Sequence, residues 1–230
     1  MSQSTVVGFS GNITRPSKTF AFVDHIARDI AAATGLAALS YDIEDLGPSL
    51  LQARRASDLD DGAHRILSVI VEADILVVGS PTYKGSYSGL FKHFFDLVDP
   101  AALRGKPVLL TATGGGERHA LIAEHSLRPL FGFFEAFTLP TAIYATDRDF
   151  AEGRLTSEPI LRRVAQAVGE AATVIGRRAP LAIAAEQGAG YFRLCEEREA
   201  LRRRGTGASA SRVRYPAVPG TSTGPCPRRR

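Results

Sequence analysis

Ser10, Arg15, Ser17, Lys18 and Thr19 bring three hydroxyls and two cations into ten residues, just before a segment of helical apolar spacing. The free N–H groups of a helix start favour an anion, and hydroxyl and guanidinium donors add to them. The cluster is suited to a phosphate. It is not a Walker loop, because no Gly-Lys-Ser/Thr follows four variable residues. Nor is it the Gly-x-Gly-x-x-Gly dinucleotide fingerprint. A second cluster, Pro81, Thr82, Tyr83, Lys84, Gly85 and Ser86, lies in a Gly/Ser/Pro-rich loop from Gly79 to Gly89. There Pro81 fixes chain direction, Gly85 permits close backbone approach to a flat ligand, and Tyr83 offers an aromatic face. A third cluster, Thr113, Gly114, Gly115 and Gly116, exposes bare backbone amides suited to a planar, oxygen-bearing ring.

The elements that must position these clusters follow from periodicity. Thr5–Phe9, Leu36–Tyr41, Ile75–Val78, Lys106–Ala112 and Thr138–Ala145 are short apolar runs, as strands buried on both faces require. Helices are predicted between them. The first starts near Ser17 or Lys18, carries Phe20, Val23, Ile26, Ala27, Ile30 and Ala31 inward, and stops at Gly35. The second is capped by Ser57 or Asp58 and runs to about Glu72, with Ile66, Leu67, Val69 and Ile70 inward. The third carries Leu90, Phe91, Phe94, Phe95 and Leu97. The fourth runs from Glu117 to about Ala136 with Leu121, Ile122, Leu127, Leu130 and Phe134 inward. The last covers about 158–177. This alternation predicts an α/β fold: a doubly wound five-stranded parallel sheet with helices on both faces. The three clusters follow the carboxyl ends of strands one, three and four, where such sheets bind ligands.

Composition sets the outer bounds. The 230 residues suffice for one domain plus an appendage, with a domain expected over 1–178 and a C-terminal extension over 179–230. The extension reads as a short helix followed by a basic, disordered tail from Gly205. Of 28 basic residues, eight are Arg within 201–230, where there is no acid; residues 1–200 keep 20 basic against 24 acidic. The net charge of +4 therefore belongs to the tail, and a nucleic-acid-binding body is disfavoured. Cys195 and Cys226 form neither a disulfide framework nor a metal-ligand spacing. No run reaches the length of a membrane span, and a secretory signal is absent, so a cytoplasmic protein is expected.

A phosphate site beside two loops fit for a planar ring implies a phosphorylated aromatic cofactor, and flavodoxin-like sheets bind FMN at this place. The order Ser10…Arg15-Pro-Ser-Lys-Thr19, then Gly79-Ser-Pro-Thr-Tyr-Lys-Gly-Ser-Tyr-Ser-Gly-Leu-Phe-Lys92, then Thr113-Gly-Gly-Gly116, resembles the NAD(P)H-dependent FMN reductase family over about residues 4–178. His119–Phe131 is similar to the branch that serves alkanesulfonate and methanesulfonate monooxygenases. The resemblance implies that Ser10, Arg15, Ser17, Lys18 and Thr19 hold the FMN phosphate. It implies that Pro81–Ser86 contact the isoalloxazine and that Thr113–Gly116 border its pyrimidine end or face. NADPH or NADH is the implied co-substrate, with hydride passing to flavin N5 and no catalytic side chain or metal required. It further implies a homo-oligomer, tetramer or dimer, built partly through 119–131, and a transient flavin-dependent monooxygenase partner. A π-bulge is implied at His125, which stands as a modulator or as a plain solvent-facing residue.

Two other readings use the same loops: an FMN-retaining reductase of quinones, azo dyes or metal oxyanions, and a flavodoxin-like electron carrier. Flavodoxins use a Thr/Ser-x-Thr-Gly-x-Thr phosphate loop, which Ser10–Thr19 does not match.

Overall fold

A computed structural model describes residues 4–177. The extension expected from Ala179, for which a short helix and a basic tail are predicted, lies outside the described residues.

The strands are β1 (Thr5–Ser10), β2 (Ala37–Asp42), β3 (Ile75–Pro81), β4 (Pro107–Gly114), β5 (Phe137–Thr138) and β6 (Ile143–Thr146). They pair in parallel in the order β2-β1-β3-β4, with β5 and β6 both on the far side of β4. β5 and β6 occupy one strand position, so the sheet is five-stranded with its last strand in two pieces. The strand predicted over Thr138–Ala145 breaks at Pro140, which has no N–H to give to a ladder. Side chains take up the freed carbonyls: Arg128 donates to Leu139 O at 3.0 Å and Arg163 to Ala142 O at 2.7 Å.

The helices are α1 (Lys18–Thr34), the single turn α2 (Ser49–Gln52), α3 (Asp61–Glu72), α4 (Gly89–Leu97), α5 (Arg128–Phe133) and α6 (158–177). A β-hairpin of β7 (Phe150–Ala151) and β8 (Arg154–Leu155) precedes α6. Alternate residues of each strand feed two cores. Val6, Ile75, Val77 and Leu109 meet Val23, Ile26 and Ile30 of α1 and Val164, Ala167 and Ala171 of α6. Val7, Phe9, Leu76, Val78 and Leu110 meet the other layer, where Phe9 lies 4.5 Å from the ring of Phe94 and 5.8 Å from that of Phe95. Phe22, not Phe20, completes the buried stripe of α1, and Phe20 is half-buried.

Several local expectations shift. Asp60, not Ser57 or Asp58, caps α3 by accepting from Ala63 N at 2.9 Å. Asp58 instead accepts from the Arg54 and Arg55 amides and closes a 3-10 turn before α3. The helix predicted from Glu117 to Ala136 divides into a 3-10 turn at Glu117–His119, a π-helical turn at Ala123–Leu127, and α5. Pro129 is the physical reason: it cannot donate to the His125 carbonyl four residues back. The Arg128 amide reaches five residues back to Ala123 O instead. The expected π-bulge thus forms, with His125 exposed on it. Leu121, predicted to face inward, is exposed.

Two close contacts place the start of α1 over the seam between β1 and β3, where strand order reverses. A Cβ on Gly79 would overlap Val23 Cγ2 and come within 2.5 Å of Thr111 Oγ1. A Cβ on Gly8 would sit 2.8 Å from Val23 Cγ1. α1 therefore rests on bare backbone. The loop leading into it is held by Asp42 at the end of β2. Asp42 accepts from Asn12 Nδ2 at 2.9 Å, Arg15 Nε at 2.8 Å and Arg15 Nη2 at 2.5 Å. Asp45 adds a contact to Arg15 Nη2 at 2.6 Å. Burial works to raise the Asp42 pKa, but the bonds from Arg15 and Asn12 outweigh it and hold the carboxyl below its usual range.

Two outcomes follow. Gly79→Ala should cost about 2–3 kcal/mol in urea unfolding, because Val23 and Thr111 both stand on rigid elements; an unchanged midpoint would contradict this packing. A carboxyl held low when folded stabilises fully above its unfolded pKa, near 4, and loses that contribution as pH falls through the folded value. Asp42→Asn should therefore cost roughly 2–3 kcal/mol at pH 7. It should also flatten the loss of stability below about pH 4, read from urea midpoints across pH 3 to 7.

Candidate flavin site

Three loops meet at the carboxyl edge of the sheet and are bonded to one another. Between the first and second, Gly11 N donates to Gly79 O at 2.7 Å, and Ser88 Oγ donates to Gly11 O at 2.6 Å. Ser88 also caps α4, accepting from Phe91 N. Between the second and third, Thr82 N donates to Thr113 O at 2.7 Å. Between the first and third, the Thr19 and Thr113 hydroxyls bond at 2.6 Å in a buried contact. The cavity they frame, of about 320 Å³, is lined by Ser17, Lys18 and Thr19, by Pro81, Thr82 and Tyr83, and by Thr113, Gly114 and Gly115.

The placement of the remaining sequence candidates is informative. Ser10 is fully buried, and its hydroxyl donates to Asn12 Oδ1 at 2.6 Å, so it orients Asn12 rather than facing the cavity. Asn12 itself lines the cavity, with Thr14 and Pro16. The Arg15 guanidinium is spent on Asp42 and Asp45, which push its pKa further above the ordinary value. The structure gives it the task of anchoring the loop. Ser17 caps α1, its hydroxyl accepting from Phe20 N at 3.2 Å. The amides of Lys18 and Thr19 belong to the first turn, which a helix leaves without internal acceptors.

In the second loop, Tyr83 and Ser86 exchange backbone bonds at 2.9 and 3.1 Å around a two-residue tip, Lys84–Gly85. Both tip residues have positive φ, 52° and 89°, as a tight hairpin turn requires. Lys84, Gly85 and Ser86 stand off the cavity wall, while Tyr83 is 42% exposed and reaches it. In the third loop, Thr113 and Gly114 extend β4 rather than following it, paired with Ala145 and Thr146. A Cβ at Gly114 would overlap the Tyr144 hydroxyl, which donates to Gly116 O at 2.7 Å. Burial pushes the Tyr144 phenol above its usual pKa, with a Thr82 bond opposing and the Asp147 charge adding. Gly116 meets nothing within 4 Å and is extended, so neither space nor conformation demands glycine there.

Asp147 was not singled out by sequence, yet it lines the cavity and ion-pairs with Lys18 Nζ at 2.7 Å. It follows the carboxyl end of β6. The rule that picked the other three loops would have reached it, had it been applied to the edge strand.

The donors fit FMN. A first helical turn with Ser17, Lys18 and Thr19 suits the phosphate. The bare edge at Gly114–Gly115 and the Thr82–Tyr83 backbone suit a flat, oxygen-bearing ring. Among the described residues, no cluster of His, Cys, Asp and Glu could hold a metal ion.

Residues 4–151 match the sequence profile of the NADPH-dependent FMN reductases. The NADH-dependent FMN reductase SfnF of Pseudomonas fluorescens is 43% identical over 171 residues, 74% of this chain and 91% of that protein. An FMN reductase (NADPH) of Pseudomonas aeruginosa is 41% identical, covering 76% of this chain and 95% of its own. Among solved structures, an oxidoreductase from Corynebacterium diphtheriae superposes with a TM-score of 0.68 at 32% identity, over 76% of this chain and 99% of that one. The chain belongs to the NADPH-dependent FMN reductase family, oxidoreductases that use NAD(P)H and FMN.

Proposed function

We propose that this chain reduces FMN at the cavity framed by the three loops, using NAD(P)H, and releases the product to a flavin-dependent monooxygenase of the sulfonate type. The observation that carries the reading is the meeting of the α1 first turn with the Thr82–Tyr83 and Gly114–Gly115 backbones in one cavity. Bound FMN would supply a hydride acceptor at its N5. The protein's share is placement. Ser17, Lys18 and Thr19 receive the phosphate, with Asn12 and Thr14 beside them. Pro81, Thr82 and Tyr83 support the ring from one side, and Thr113–Gly115 border its edge. Lys84, Gly85 and Ser86 shape the hairpin that presents Tyr83.

The sulfonate assignment draws on the similarity of the His119–Phe131 segment to that branch, and on the SfnF relative. We assign a homo-oligomer, dimer or tetramer, joined through the same region. Leu121, Phe133 and Phe137 there are 60%, 69% and 50% exposed, more apolar side chain than an isolated surface of this kind needs. Among the described residues, no helix is long and apolar enough to cross a membrane. The need for NAD(P)H supports a cytoplasmic site of action.

The test is steady-state oxidation of NADH and NADPH by protein of known flavin content, with and without free FMN. Saturable dependence on added FMN is expected. Turnover that needs a quinone or dye and retains its flavin would replace the release step, and no oxidation by FMN-loaded protein would end the enzyme reading. Lys18→Ala should raise the apparent KM for FMN about tenfold, the worth of one charge-assisted phosphate contact, with kcat at saturating FMN held within about twofold.

A further inference from the structure

The charges around the phosphate end of the cavity do not favour a dianion. Among the described residues, Arg15 and Lys18 flank the start of α1 there, and three carboxylates already occupy them. Asp42 and Asp45 hold Arg15; Asp147 holds Lys18 at 2.7 Å. Asp42 is buried and anchors the loop, so it belongs to the fold. Asp147 differs. Its side chain is 62% exposed, it lines the cavity itself, and its carboxylate lies across from Gly115, whose added Cβ would come within 3.9 Å of it.

We propose that Asp147 competes with the FMN phosphate for Lys18 and so sets how weakly the flavin is held. This rests on the reading of the cavity as the FMN site. An arriving phosphate must draw Lys18 away from Asp147 and then share the mouth of the cavity with that carboxylate. When the phosphate leaves, Asp147 takes Lys18 back, and the ammonium is never left without a counter-charge. A reductase that hands its flavin to another protein needs such a return partner, because a bare lysine at a helix start would hold the phosphate longer.

The local structure permits a clean test. The 3-10 turn at Asp147–Asp149 is capped by Asp149, which accepts from Thr146 N at 2.7 Å and Thr146 Oγ1 at 2.8 Å; Asp147 contributes its backbone carbonyl, which accepts from Phe150 N, and its side chain is not part of the cap. Asp147→Asn keeps the shape and removes the charge. Dissociation constants for FMN and for riboflavin, which lacks the phosphate, are measured by quenching of flavin fluorescence at fixed ionic strength. Asp147→Asn is expected to bind FMN roughly five- to tenfold more tightly, the scale of one exposed charge at close range, with riboflavin moved less than about twofold. In a Lys18→Met background the gain from Asp147→Asn should fall below about twofold, because the contested cation is gone. An unchanged FMN constant, or equal tightening of FMN and riboflavin, would overturn the proposal. Wild-type protein that binds FMN no better than riboflavin would instead overturn the phosphate assignment beneath it.

Discussion

The arrangement depends on how closely α1 approaches the sheet. Val23 packs where Gly8 and Gly79 leave the β1 and β3 backbones bare, and no larger residue fits at either glycine without displacing it. That contact sets the height of α1 above the seam. It thereby aims the first turn of the helix at the carboxyl ends of the strands. The bond from Thr19 of the helix to Thr113 depends on that height, while the Gly11–Gly79 and Thr82–Thr113 backbone bonds carry the β1–β3 and β3–β4 pairings on into the loops. The cavity is framed by these contacts together with the bonds between the three loops.

The two cations nearest the helix start divide the labour. Arg15 is committed inward, through a fork of bonds to the end of β2. Lys18 is committed outward, across the cavity to the end of the edge strand. Residues three positions apart thus tie the same loop to opposite sides of the sheet. The cavity end of the molecule is framed by ion pairs whose partners lie about 30 and 129 residues away in sequence.

Those separations explain what sequence could and could not show. The strand and helix order was legible because burial on both faces forces short apolar runs, and the order of the runs prescribes the winding. The place of Ser17 and Thr19 at the start of α1 was legible because hydroxyl residues before an apolar helical stripe mark a cap. Arg15 reads as an anion ligand because its guanidinium stands beside hydroxyls. Its actual partners, Asp42 and Asp45, sit beyond a whole helix and strand. Ser10 read as a phosphate donor for the same reason, and only its burial shows that it serves Asn12. The helix over 117–136 read as continuous because its apolar spacing is helical. Pro129 was the visible warning, and its effect was to widen one turn rather than end the helix.

The divided last strand has a consequence for how this protein behaves when crowded. An uninterrupted edge strand of the length expected from Thr138 to Ala145 would offer a neighbouring chain a row of unpaired amides and carbonyls to extend. Instead the edge comprises a two-residue and a four-residue piece, separated by Pro140. The carbonyls at the gap are already answered by Arg128 and Arg163. Among the described residues, no unbroken ladder of that length is left on that side to recruit a foreign strand.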